Sequence, residues 1–134
     1  MATKSELEAF FIHEFPQANF RIDEVGNKAA TISIEITHAH LRPGGTVSGP
    51  TLMQMADAAL YVAILGEIGL ISLAVTTNLN INFLRKPSAD GRLTAKCRLI
   101  KMGKSLAVGD VFLYSDHIED PVAHATGTYS IPPK

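Results

Sequence analysis

One cysteine, Cys97, is all that the 134 residues hold. No disulfide can form within the chain, and no paired thiolates are available for a CxxC zinc or redox site. A reducing cytoplasm is the expected compartment. Charge of one sign is also lacking: 12 Lys and Arg stand against 13 Asp and Glu, so no strong field would draw the chain to nucleic acid or to an anionic membrane. Residues 1–15 lack a basic start leading into an apolar signal core, and no apolar run of membrane-spanning length goes uninterrupted. The expectation is a protein neither exported nor embedded. There is no internal repeat, low-complexity tract or linker, and the length suits one domain, 1–134, whose core needs no staple. The stretch "GGTVSG" lacks the Lys-Ser/Thr ending of a P-loop and the G-x-G-x-x-G of a dinucleotide site, so it reads as a turn. His38 and His40 in "HAH" would share one strand face, yet no third ligand stands at a suitable spacing, and no metal or other cofactor is expected.

What is present has a clear order. Ser5 and Glu8 spell a capping box, after which Leu7, Phe10, Phe11 and Phe15 recur at helical spacing until Pro16. "FRIDEV" and "AATISIEIT", split by Gly26 and Asn27, predict a hairpin in which Ile32, Ile34 and Ile36 alternate with Thr31, Ser33 and Glu35. The turn-rich loop "HAHLRPGGTVSG" leads to Pro50, suited to the first turn of a helix that starts near Gly49. That helix is apolar almost all round up to Leu65, as one surrounded by protein would be. In "AVTTNLNINFL", Val75, Thr77, Leu79, Ile81 and Phe83 alternate with Thr76, Asn78, Asn80 and Asn82, predicting one packed and one polar face. "RLTAKCRLIKM", "SLAVGDVFLYS" and "PVAHATGTYSI" predict three more strands, too closely spaced for crossover helices. The fold class expected is α+β: an antiparallel sheet wrapped around one long central helix, with a short N-terminal helix.

Asp57 stands out in that helix. An ionised carboxylate is costly to bury unless it is paired or hydrogen-bonded. A structural reading gives it loop donors or an arginine such as Arg42 as partner. A chemical reading notes Gly49 about two turns earlier, where the helix start offers an N–H and partial positive charge to a developing oxyanion. Carboxylate and oxyanion donor together are ingredients of acyl transfer.

The segments "GGTVSGPTLMQMADAAL", "AVTTNLNINFLRKPSADGRLTAKCRLIKMGKSLAVGDV" and "PVAHATGTYSI" resemble the PaaI-type hotdog-fold acyl-CoA thioesterases, from about Leu41 to Ile131. In that family a loop glycine opens the central helix, an acid follows two turns in, and the next strand reads T-x-x-L-N-I-x-F-L-R-P. Gly49, Asp57 and the strand from Thr76 to Arg85 match, with Lys86 inserted before Pro87. The resemblance implies hydrolysis of an acyl-CoA thioester. Gly49 N–H would be the oxyanion donor, Asp57 the general base or nucleophile, and Thr76 would orient the water or the carboxylate. It also implies a homodimer or dimer of dimers that pairs sheets edge to edge, with active sites at the subunit boundary. The face of Thr76, Asn78, Asn80 and Asn82 would line that junction.

The departures lie around the helix start. Arg42 and Ser48-Gly49-Pro50 stand where the family has Asn and His-Gly-Gly. Ser48 could replace one hydrogen bond of that His, and Arg42, on a surface turn, could hold a substrate phosphate or carboxylate. Arg85, Lys86 and Lys104, the last beside Ser105 in the "GKS" turn, are candidate clamps for coenzyme A phosphates. Asn82, Phe83 and Leu84 are candidates for the substrate entrance, and Met53, Met55 or Tyr61 for the acyl pocket, according to helix orientation. Two rivals are a non-catalytic acyl-CoA-binding or assembly protein of the same fold, and a dehydratase or hydratase. The latter needs a His beside the acid, and none follows Asp57 until His117.

Overall fold

The computed structural model describes residues 1–15 and 19–133; Pro16, the expected stop of the first helix, lies outside the described residues. Helix α1 spans Lys4–Glu14, and its capping box is Thr3 with Glu6, two residues before the expected Ser5 and Glu8. Thr3 is extended, its hydroxyl accepts the Glu6 N–H at 3.2 Å, and Glu6 Oε1 accepts the Thr3 N–H at 3.0 Å. The Ala2 N–H also donates to Gly66 O, which ties this end of the chain to the central helix.

Strands β1 (Arg21–Gly26) and β2 (Ala29–Glu35) form the hairpin. Its two-residue turn is Asn27-Lys28 rather than Gly26-Asn27, because both of these take positive φ, 52° and 61°, as a primed turn between twisted strands requires. His38 and His40 lie in a 3₁₀ turn, not on a strand. The loop after it contains a short ribbon, β3 (Leu41–Arg42) and β4 (Thr46–Val47). Helix α2 covers Gly49–Ile68. Then come β5 (Val75–Phe83), β6 (Arg92–Met102), β7 (Leu106–Ser115) and β8 (Ala123–Ser130). The six long strands form one antiparallel sheet in the order β1-β2-β6-β7-β8-β5, leaving β1 and β5 as edges.

The sheet curls around α2, whose Ala59, Leu60, Val62, Ile64 and Leu65 are inaccessible to solvent. By length and mean hydropathy α2 could cross a membrane, but Asp57 and Glu67 interrupt it and most of it is buried inside the fold. Cys97, on the inner face of β6, has its thiol pushed up to about 12 by burial and then by Asp110. It stays protonated at neutral pH and is no nucleophile.

Close approach of helix to sheet rests on a glycine pair. Gly109 and Gly127 are cross-strand partners on β7 and β8. A Cβ on Gly109 would stand 2.8 Å from Leu60 Cδ2, and one on Gly127 would collide with Leu60 Cδ1. Leu60 has no exposed volume to retreat into. Gly127→Val should therefore cost about 1–3 kcal/mol through overpacking, read as a lower denaturation midpoint at unchanged m-value; an unchanged midpoint would show that the notch is not filled.

Candidate active site

Helix α2 presents Thr51, Gln54, Met55, Ala58 and Tyr61 along one face, at the i, i+3, i+4, i+7 spacing, to a cavity of about 560 Å³. Asp57 opens into the same cavity. Of the three residues offered for an acyl pocket, Met55 and Tyr61 line it and Met53 is exposed, because α2 turns that flank away.

Asp57 is half-buried, and its Oδ1 accepts two hydrogen bonds. Thr76 Oγ1 donates at 2.6 Å and the Tyr129 hydroxyl at 2.8 Å. The position of Thr76 corrects the simple alternation. A β-bulge lies between Thr76 and Asn78, so Thr76 pairs with Tyr129 while Asn78 pairs with Thr128. The extra residue, Thr77, breaks the period of two and rolls Thr76 onto the helix-facing side. Beyond the bulge, Leu79 and Ile81 lie opposite the buried Gly127 and Ala125, while Asn78, Asn80 and Asn82 occupy the outer face.

Tyr129 is a site residue that sequence reasoning missed. Along β8, Ala123, Ala125, Gly127 and Tyr129 share the inner face, and one large polar ring among small residues was the available signal. Burial, and then the charge of Asp57, raises its phenol well above the ordinary value. The hydroxyl therefore stays a donor throughout the working pH range. Its ring stacks on Tyr61 at 6.0 Å, and Tyr61 in turn meets Phe10, Phe11 and Phe15. The first helix thus supplies an aromatic wall to the cavity.

His40 also lines the cavity. Its Nδ1 accepts the Thr37 N–H at 2.9 Å, so the neutral ring carries its proton on Nε2. A histidine therefore shares the cavity with Asp57. No histidine follows Asp57 closely in the chain, but the fold brings this one from before the helix.

A second group gathers at the start of α2. Ser48 is the N-cap: its Oγ accepts the Thr51 N–H at 3.2 Å and lies 2.8 Å from Thr51 Oγ1. Gly49 is the first helical residue, and no acceptor among the described residues engages its N–H. Phe83 covers this point, its ring 3.4 Å from where a Gly49 Cβ would stand. Eight residues at about 1.5 Å each put Gly49 and Asp57 roughly 12 Å apart along one helix axis.

The candidate cations are dispersed. Arg42 is exposed on β3 and forms no ion pair among the described residues, with Asp57 or otherwise. Arg85 donates to Pro121 O at 2.6 Å and lies 3.8 Å from Asp120. Leu84 and Lys86 are exposed beside it, past the end of β5. Lys104 and Ser105 form the β6–β7 turn, and Ser105 O accepts the Ile131 N–H. No cluster of metal-binding side chains occurs among the described residues.

Residues 44–122 match the family model of the thioesterase superfamily. A candidate thioesterase from Silicibacter is 44% identical, with a TM-score of 0.89 over 98% of this chain and 92% of that one. The phenylacetic acid degradation protein PaaI from Thermus thermophilus shares the fold at 22% identity, with a TM-score of 0.76 over 87% and 96% of the two chains. A hypothetical thioesterase from Streptococcus pneumoniae, solved with coenzyme A, shares it at 21% identity, with a TM-score of 0.81 over 96% and 98%. No curated protein matches.

Proposed function

Because the chain belongs to the thioesterase superfamily and is a thioester hydrolase, we propose that it cleaves an acyl-CoA to the free acid and coenzyme A at sites shared by two subunits. The observation that carries this reading is Asp57, oriented by Thr76 and Tyr129 in a cavity of about 560 Å³. The coenzyme A held by the pneumococcal protein of the same fold supports the choice of thioester.

The distance between Gly49 and Asp57 supports a site built from two chains. A carbonyl oxygen on the Gly49 N–H cannot be reached by an Asp57 roughly 12 Å along the same helix. Within one chain, Asp57 lies beside Thr76 at the start of β5, and Gly49 lies beside Phe83 at its end. Antiparallel pairing of the exposed β5 edges would set the start of one strand against the end of the other. Asp57 and Thr76 would then face Gly49 of the partner subunit. The same pairing brings the Lys104 turn, beside Val75 through Ser130, toward Arg85 and Lys86 of the partner subunit. Coenzyme A phosphates would meet charge contributed by both chains.

In the reaction, the thioester oxygen accepts the Gly49 N–H and feels the positive end of α2. Asp57 Oδ2 takes a proton from water, and the oxygen left behind adds to the carbonyl carbon. Collapse of the tetrahedral intermediate breaks the C–S bond, and the departing thiolate recovers the proton from Asp57. In direct attack Oδ2 bonds to the carbonyl carbon, the C–S bond breaks and the thiolate leaves to take a proton from solvent; water then opens the mixed anhydride, releasing the acid and restoring the Asp57 carboxylate. No metal or cofactor takes part in either sequence.

Free-thiol release from short, medium and aromatic acyl-CoAs tests the reading, and no release from any of them at micromolar enzyme would overturn it. Dehydration of a 3-hydroxyacyl-CoA without thiol release would instead favour the hydratase class, for which His40 in the Asp57 cavity is the structural support. Arg42 is exposed on β3, at the edge of the loop before α2, and serves binding rather than the chemical step. Arg42→Ala should raise KM for acyl-CoA several-fold with kcat little changed, as loss of uniform binding does; a fall in kcat at constant KM would place Arg42 in the reacting centre.

A further inference from the structure

We propose that Tyr129 is the positioning residue of the reaction: with Thr76 it immobilises Asp57 through one oxygen, so that Oδ2 alone is presented to water or thioester. The inference rests on the reading of Asp57 given above and adds to it a residue outside the 44–122 segment shared with the family model.

Both donors meet Oδ1, Thr76 at 2.6 Å and Tyr129 at 2.8 Å, and the Tyr129 hydroxyl also lies 3.2 Å from the Asp57 backbone oxygen. No donor to Oδ2 occurs among the described residues. A carboxylate has two equivalent oxygens and a freely turning plane; two donors on one of them remove both freedoms. The donors arrive from different elements. Thr76 comes from the edge strand through its bulge, and Tyr129 from the neighbouring strand, where it is 3% exposed and packed on Tyr61. Thr76 alone, at the exposed start of an edge strand, would not hold the carboxylate against rotation. The buried ring provides the rigid half of the clamp.

Thr76 and Tyr129 are the only donors to the Asp57 carboxylate among the described residues. Other titratable groups near it are Tyr61 on its own helix and His40 across the cavity. Glu14 of α1 acts on Tyr61, whose phenol is raised by burial and then by that charge. None of these is hydrogen-bonded to the Asp57 carboxylate.

Tyr129→Phe keeps the ring and removes the donor. Its kcat should fall about tenfold or more with KM within about twofold, as loss of a contact that positions the reacting oxygen does. Site-specific replacement of Tyr129 by 3-fluorotyrosine, which preserves the packing and keeps the phenol a donor, should hold kcat within about twofold of the wild type. A fluorinated protein as slow as Tyr129→Phe overturns the inference, as does Tyr129→Phe with unchanged kcat or with a loss tracking only a lower Tm. Asp57→Asn separates the two levels. If that variant is inactive and the Tyr129 tests fail, only the role of Tyr129 is lost; if it is fully active, the reading of Asp57 falls with it.

Discussion

Asp57→Asn is expected to lower thioester hydrolysis at least about a hundredfold, the low end of what removing a positioned general base costs, with KM for acyl-CoA little changed. The amide has the shape of the carboxylate and can still accept the Thr76 and Tyr129 hydrogen bonds through its oxygen. Folding and assembly should persist for that reason. What is lost is an oxygen able to take a proton or attack a carbonyl. The loss in kcat should appear in single turnovers as well as in steady state, because it lies in the chemical step. Undiminished turnover in a pure preparation would remove Asp57 from the mechanism.

Gly49→Pro should produce a loss of similar size, about 10² to 10³ in kcat, the measured scale for one oxyanion-hole donor. Proline removes the N–H and adds a ring, and the first position of a helix accepts it because that N–H has no partner within the helix. The added ring atoms would contact Phe83, whose ring is 3.4 Å from the Cβ position, so Gly49→Ala is the control that adds the Cβ and keeps the donor. Because the proposed site draws Asp57 from one chain and Gly49 from the other, the two inactive variants should complement each other. Co-refolded Asp57→Asn and Gly49→Pro chains should regain part of the wild-type rate, through mixed dimers with one intact site. Gly49→Pro at full activity would discard the oxyanion role, and no recovery on mixing would argue against a shared site.

Much of the fold was legible in residue order. The apolar run after Gly49 marked a helix wrapped by protein, and β6 has the limits, 92–102, that its alternation predicts. The errors were local. Thr3 caps α1 in place of Ser5, an equally good capping residue two positions on, and Lys28 joins Asn27 in the hairpin turn at a positive φ that its residue type does not announce. The misread face of Thr76 has a different origin: a bulge changes the period by one residue, and no residue type at Thr76-Thr77 announces it.

Composition and periodicity by themselves determined the α+β class, the single central helix, the lack of a disulfide within the chain and the isolation of Asp57 among apolar neighbours. These depend on burial patterns along a local stretch of chain, which solvent imposes residue by residue. Only the tertiary structure decided what Asp57 touches. Tyr129 is 72 positions away in the chain, His40 comes from the opposite side of the helix start, and the aromatic wall comes from α1. Such contacts arise where strand order and register bring distant segments together, and hydrogen-bond geometry at Oδ1 is a property of that meeting rather than of any one segment.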